Sequence, residues 1–147
     1  MDAWLKVLGS AGHPVTDAWA VKQHGKDNRR LDQSVMFARR PGVKPGDRIV
    51  YYSAGTHNVF AEGKVTSAPY SDPLHEAFEG SDGRLYPYWV DVAIDVSVSF
   101  VKDGVPLAAL SVDGRDLLQS VRRRGLLKLR PKEYQEVLRL LSEAQEA

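Results

Sequence analysis

The chain predicts an α+β fold: a small, largely antiparallel β-barrel or curled sheet with short helices around it and a helix at its C-terminus. Three stretches carry that expectation. Gly42-Val43-Lys44-Pro45-Gly46-Asp47-Arg48-Ile49-Val50-Tyr51-Tyr52-Ser53-Ala54-Gly55 opens with a turn. Pro presets φ for its second position, and Gly accepts the positive φ that a type II turn needs next. Arg48 to Ser53 then reads as a strand, rich in β-branched and aromatic residues, and Ala54-Gly55 ends it. Further on, Tyr88, Val90, Val92, Ile94, Val96 and Val98 alternate with Asp91, Asp95 and Ser97, the two-residue period of a long strand with one apolar face. Last, Tyr134, Val137, Leu138 and Leu141 recur at helical spacing behind Pro131.

Composition bounds the possibilities. The 147 residues suit one domain, 1–147, with one core. Hydrophobic residues make up 43% and charged residues 27%, an ordinary soluble composition. Cysteine is absent, which excludes structural disulfides, thiolate catalysis and Cys-based zinc sites and makes a reducing cytoplasm the simplest setting. No apolar run approaches the roughly 20 residues that span a bilayer, and no signal peptide is visible. The formal net charge is +1. Basic residues nevertheless gather in two windows, Lys26 to Arg48 and Arg122 to Arg130. Either these are phosphate contacts or they are solvated faces.

In chain order, Trp4 to Leu8 is expected to be a first strand ending in the Gly-rich loop 9–12. Trp19-Ala20-Val21 is a short apolar patch, expected to be extended. Residues 23–30 read as an exposed polar loop. Leu31 to Arg39 reads as a short helix, with Leu31, Val35 and Met36 or Phe37 on one side and Pro41-Gly42 as its stop. After the 48–53 strand, Thr56-His57-Asn58 turns the chain and Val59 to Thr66 returns as its antiparallel partner. Gly63 inside that strand marks a bulge or a close backbone approach. Residues 67–85 form a long connection. Val105 to Leu110 and Asp116 to Arg124 are expected to be short helices, the second stopped at Gly125, and Leu126 to Leu129 a short strand.

The ordered set resembles a known family. A Trp-containing first strand, Trp-Ala-Val at 19–21, Val-Lys-Pro-Gly-Asp with Val-Tyr-Tyr at 43–52, Gly-Lys-Val-Thr-Ser-Ala-Pro-Tyr-Ser-Asp-Pro at 63–73, Tyr-Pro-Tyr-Trp-Val-Asp-Val at 86–92 and Leu-Arg-Pro-Lys-Glu-Tyr at 129–134 together resemble the EVE domain. This is a PUA-like domain related to YTH and ASCH domains, and the likeness runs over residues 3 to 142. The resemblance implies a PUA-like β-pseudobarrel of about five or six strands. It also implies a non-enzymatic module that holds a flipped, modified base in a pocket with aromatic walls. By position it makes Trp19 one pocket wall, places Tyr51, Tyr52 and Ser53 along the pocket, and puts Ser10 where relatives carry a small polar ligand contact. The chain departs from the family in a short segment before Trp19 and a long, basic segment over 23–40.

Such a pocket needs flat π-faces for stacking and a few fixed donors or acceptors. Trp19 is either that wall or a packed core-edge residue. Tyr51 and Tyr52 are adjacent in a strand and point to opposite faces, so at most one of them lines a given pocket; Ser53 shares a face with Tyr51 and is the favoured polar contact. Trp89, on the polar side of its strand, is a second wall or packs under a helix. Arg29, Arg30, Arg39 and Arg40 suit phosphates, because Arg makes bidentate contacts. The four histidines show no ligand spacing, and neither a P-loop nor GxGxxG is present, so no metal or cofactor is expected. The leading reading is a module that binds modified DNA or RNA, as a monomer or weak homodimer and without a membrane partner. The alternatives are an enzyme or sensor acting on a nucleoside-like small molecule in the same pocket, and a protein-interaction module.

Overall fold

The computed structural model of the chain describes residues 1–9, 15, 17–21, 23–24, 29–71, 78–79, 85–110, 117, 121 and 125–147. Among them the strands are β1 (Ala3–Leu8), β2 (Gln23–His24), β3 (Arg29–Arg30), β4 (Ser34–Phe37), β5 (Arg48–Ser53), β6 (Asn58–Val65), β7 (Tyr70–Ser71), β8 (Phe78–Glu79), β9 (Leu85–Tyr86), β10 (Tyr88–Ser97), β11 (Val105–Pro106) and β12 (Leu126–Leu129). Helix α1 spans Pro131–Glu146. The main sheet runs β12-β1-β5-β6-β10-β4, with β7 paired to β10 and β11 to β6. It is a curled half-barrel, the PUA-like pseudobarrel that was expected, with α1 packed against β6, β10 and β11. One pair departs from the antiparallel expectation: β1 and β5 run parallel, with Lys6 beside Tyr51 and Leu8 beside Ser53.

The opening turn forms as its residues dictate. Gly46 has φ of 90° and the Asp47 N–H donates to the Lys44 carbonyl at 3.0 Å, the bond that closes a type II turn. The Asp47 carboxylate accepts three further hydrogen bonds, each of 3.0 Å, from the Asp2 N–H, the Trp4 indole and the Lys44 N–H. Val65 at the end of β6 bonds both Gly46 and Asp47 through its backbone at 2.8 Å. A single buried carboxylate therefore ties the start of β1 to the turn before β5.

Strand β5 is the central wall, buried from Ile49 through Ser53. Its hairpin with β6 carries one irregularity. Tyr51 faces Ala61 and Tyr52 faces Val59, so Phe60 is the extra residue of a bulge, and such an insertion re-aims its side chain. The Phe60 ring packs edge-on to Trp19 and Tyr51, at 5.1 and 5.9 Å between centroids. Gly63 marks the close approach that its place in a strand suggests. A Cβ there would lie 2.4 Å from the Ala93 carbonyl oxygen of β10, a contact only glycine avoids. Just beyond, Ile94 faces Gly63 and Val96 faces Glu62, which makes Asp95 the extra residue of a second bulge.

That bulge completes a charged brace. Glu62 is fully buried. Arg48 donates to both its carboxylate oxygens, at 2.6 and 3.1 Å, and also to Asp95, while the Tyr134 hydroxyl of α1 donates to Glu62 at 2.9 Å. Bonding to Glu62 pushes the Arg48 guanidinium up despite its burial. Burial, reinforced by Glu62, pushes the Tyr134 phenol up to about 12.

Four expectations for local structure are corrected. Residues 31–39 are not a helix: a turn over 31–33 leads into β4, which pairs with β10. Leu31 and Val35 are both buried, and four-residue spacing serves a turn followed by a strand as well as a helix once β10 supplies ladder partners. Trp19–Val21 is a single 3-10 turn, not an extended segment. Residues 23–30 hold a two-rung β2–β3 hairpin. Val105 to Leu110 divides into β11 and a 3-10 turn over Leu107–Ala109. The expected 116–124 helix lies outside the described residues except Leu117 and Val121, both helical and buried. In α1, Pro131 opens the helix and Glu133 caps it by accepting from the Arg130 N–H at 2.7 Å.

Two outcomes follow from these anchors. Asp47→Ala should cost about 2–3 kcal/mol in urea unfolding, because hydrogen bonds to a charged group are the strong ones and their removal leaves part-buried donors unmatched. Burial pushes the Asp47 carboxyl up, but the Asp2, Trp4 and Lys44 bonds outweigh it and hold it below its ordinary value. The unfolded chain then binds that proton more readily, so the contribution of Asp47 is complete above about pH 4 and fades as pH falls further; Asp47→Ala should flatten that acid limb. At the other end, Tyr134 stays neutral in the folded state after the unfolded phenol begins to ionise near pH 10. Stability should therefore fall as pH rises from about 10 to 12, less steeply in Tyr134→Phe, as read by denaturation at each pH.

Candidate nucleic-acid interface

The strands that end the main sheet, β12 and β4, both contribute to a cleft of about 500 Å³. Lys6 of β1, Phe37 of β4 and Tyr86 of β9 line it with Leu126 of β12, and Arg39 and Arg40 stand on the segment that leaves β4. Each is placed by local structure. Phe37 is the last β4 residue, buried beside Tyr88 of β10. Pro41 follows immediately and turns the chain away, leaving Arg39 and Arg40 exposed. Lys6 is the polar member of an otherwise apolar strand and is only 7% exposed. Its ammonium lies 4.8 Å from the Phe37 ring centroid and 5.9 Å from that of Tyr86, within cation–π range. The cleft thus combines aromatic walls with positive charge at its floor and rim.

Of the residues singled out by sequence, Arg39 and Arg40 lie on this cleft. Trp19 and Tyr51 are brought together elsewhere, inside the half-barrel. Trp19 is 1% exposed, its indole N–H donates to the Val98 carbonyl at 2.8 Å, and its ring meets Tyr51 edge-on at 5.8 Å. The Tyr51 hydroxyl donates to the Leu31 carbonyl at 2.7 Å, and burial, with Asp32 nearby, pushes that phenol far up. Ser53 is fully buried, and its hydroxyl donates to the Ala54 carbonyl at 3.3 Å. Tyr52, on the opposite face, bonds through its hydroxyl to His57 Nδ1 at 2.8 Å. Trp89 is buried between Met36 of β4 and Tyr70 of β7. Arg30 forms an ion pair with Asp32 at 2.9 Å. Ser10 and the Arg29 side chain lie outside the described residues.

Two groups are still linked. Lys6 shares a rung with Tyr51, and Tyr51 meets Trp19 edge-on, so the β1–β5 ladder joins the strand of the cleft floor to that of the aromatic cluster. Lys6, Phe37 and Tyr86 escaped the sequence reading. The one usable signal was a lysine in the middle of a strand whose neighbours Leu5 and Leu8 are buried, because a cation held in a core needs a purpose or a partner.

The fold and this cleft define a β-pseudobarrel binding module. The model of the EVE domain matches residues 16–140, and the chain belongs to the EVE domain family, whose members often bind nucleic acid. Solved structures share the fold. A Rhodopseudomonas palustris protein determined by NMR superposes with a TM-score of 0.57 at 18% identity, over 97% of this chain and 94% of that one. A crystal structure from Agrobacterium tumefaciens gives 0.57 at 17% identity, over 97% and 95%. A hypothetical protein from Leishmania major gives 0.55 at 18%, over 99% and 97%. No curated protein matches the sequence.

Trp19→Phe should preserve the ring contacts but orphan the Val98 carbonyl. A destabilisation of about 1–3 kcal/mol is expected, measured by urea unfolding.

Proposed function

We propose that this domain binds nucleic acid and takes an extruded, modified base into the cleft between β1, β4 and β12. The observation that carries the reading is the cleft's make-up: Phe37 and Tyr86 as ring walls, Lys6 at the floor, and Arg39 and Arg40 at the rim. A base outside its stack needs a flat apolar partner and edge contacts, and the flanking phosphates need guanidinium groups. Arg29 and Arg30 extend the same basic segment. In this reading Trp19, Tyr51 and Ser53 form the packed floor behind Lys6, Ser10 lies just past the end of β1, and Tyr52 and Trp89 hold the two sides of the half-barrel. The domain acts by binding and not by catalysis, works without a cofactor in the cytoplasm, and functions as a monomer or weak dimer.

The test is fluorescence anisotropy with single-stranded and duplex oligonucleotides, with and without modified bases, across a salt series. Binding should weaken in Arg39→Ala/Arg40→Ala for every sequence. The slope of log K against log salt should fall by about 2, one unit for each guanidinium withdrawn from a phosphate. Unchanged affinity and slope would sink the assignment of this rim.

A further inference from the structure

Resting on that reading, we infer that the cleft selects a base carrying a bulky, uncharged and largely apolar substituent, about the size of a second ring, and that Gly125 is the residue that leaves room for it. The first observation is size. A cavity of roughly 150 Å³ holds one benzene ring, whereas the cleft measures about 500 Å³. A bare or methylated base fills only part of it. The second observation is the lining. Val7, Ala38, Pro41 and Leu126 are half-buried and join Phe37 on the cleft wall. Covering such surface is favourable in proportion to the apolar area withdrawn from water, and a methyl group covers little of it.

The third observation is Gly125 itself, which also lines the cleft. Gly46 needs its positive φ, and at Gly63 a Cβ would strike the Ala93 carbonyl. Neither reason holds at Gly125. Its backbone lies outside the left-handed region, and a Cβ there would meet no described atom within 4 Å. Its carbonyl accepts from the Val7 N–H at 2.9 Å, one rung past the Lys6–Leu126 pair, so the ladder fixes the residue at the cleft wall. The fold therefore tolerates a side chain at 125, and what that side chain would take away is open volume. The rim arginines contribute affinity without discriminating between substituents.

The experiment uses single-stranded oligonucleotides of one sequence, with one central base varied in two series. Adenine carries hydrogen, methyl or benzyl at N6, and uracil carries the same groups at C5. Each strand is titrated by anisotropy into the wild-type domain, Gly125→Leu and Arg39→Ala/Arg40→Ala. In at least one series wild type should bind the benzyl strand about tenfold or more tighter than the methyl one. Gly125→Leu should bring that ratio towards one. Its urea midpoint should equal or exceed that of wild type, because an unstrained replacement of glycine loses less freedom on folding. The double variant should weaken every strand with the ratio intact. Equal binding of methyl and benzyl strands in both series, or preference for methyl, overturns the selectivity for bulk and leaves the nucleic-acid reading standing. A benzyl preference that survives in Gly125→Leu, or a lowered urea midpoint, overturns the role of Gly125. No binding to any strand overturns both the inference and the reading beneath it.

Discussion

Glu62 is the group the architecture depends on. A carboxylate with no solvent contact inside a β-sheet is tolerable only when its partners are supplied by geometry. Here they come from two other elements, Arg48 from the start of β5 and Tyr134 from α1, and Arg48 is itself shared with Asp95 from the bulge in β10. None can move independently. The bulge turns Asp95 toward Arg48, and the missing side chain at Gly63 lets β10 lie close enough for it to do so. The brace therefore sets the position of α1 on the sheet as well as the curl of the sheet. Asp47, one residue before Arg48, performs the same office for the turn, where one carboxylate gathers donors from Asp2, Trp4 and Lys44.

Curling without closure leaves the cleft open. A fully closed barrel would pair β12 with β4 and fill the space between them. Here the six-strand path ends at those two strands, and both contribute to the cleft. The interior is instead filled by the Trp19, Tyr51 and Phe60 cluster, in which a bulge presents Phe60 to the other two rings. The division is between a packed aromatic interior, which gives rigidity, and an aromatic seam beside it that remains accessible to a ligand.

Much of this fold was legible in the sequence where one strong local signal acted alone. The Pro45-Gly46 turn, the run Arg48 to Ser53 and Pro131 at the head of α1 fall where their residues place them. The failures share a cause. Residues 31–39 and 19–21 are short segments whose state is decided by partners far along the chain, β10 for the first and Val98 for the second. The basic window led to Arg39 and Arg40 because exposed charge is visible in sequence. Lys6 and Glu62 were not flagged, because a charged residue within a strand ordinarily points to solvent. Their burial depends on bulges and on neighbours that no local pattern encodes. The rings of Phe37 and Tyr86 were equally hidden, since they come together around Lys6 only where β4 and β9 meet β1.

The parallel pairing of β1 and β5 bears on how the molecule is assembled in time. β1 lies between two strands that follow it in the chain, β5 and β12, and residues 9 to 125 separate it from the second of these. The β5–β6 hairpin can form from local contacts within microseconds, and β10 can add to it. The slot for β1 is complete only after β12 has been made and a very large loop has been closed, the circumstance that slows folding most. Until then β1 can pair with β5 along one edge only, and its other edge awaits β12. The cleft, with Lys6 at its floor and Leu126 of β12 in its wall, is thus complete only once β12 has joined β1.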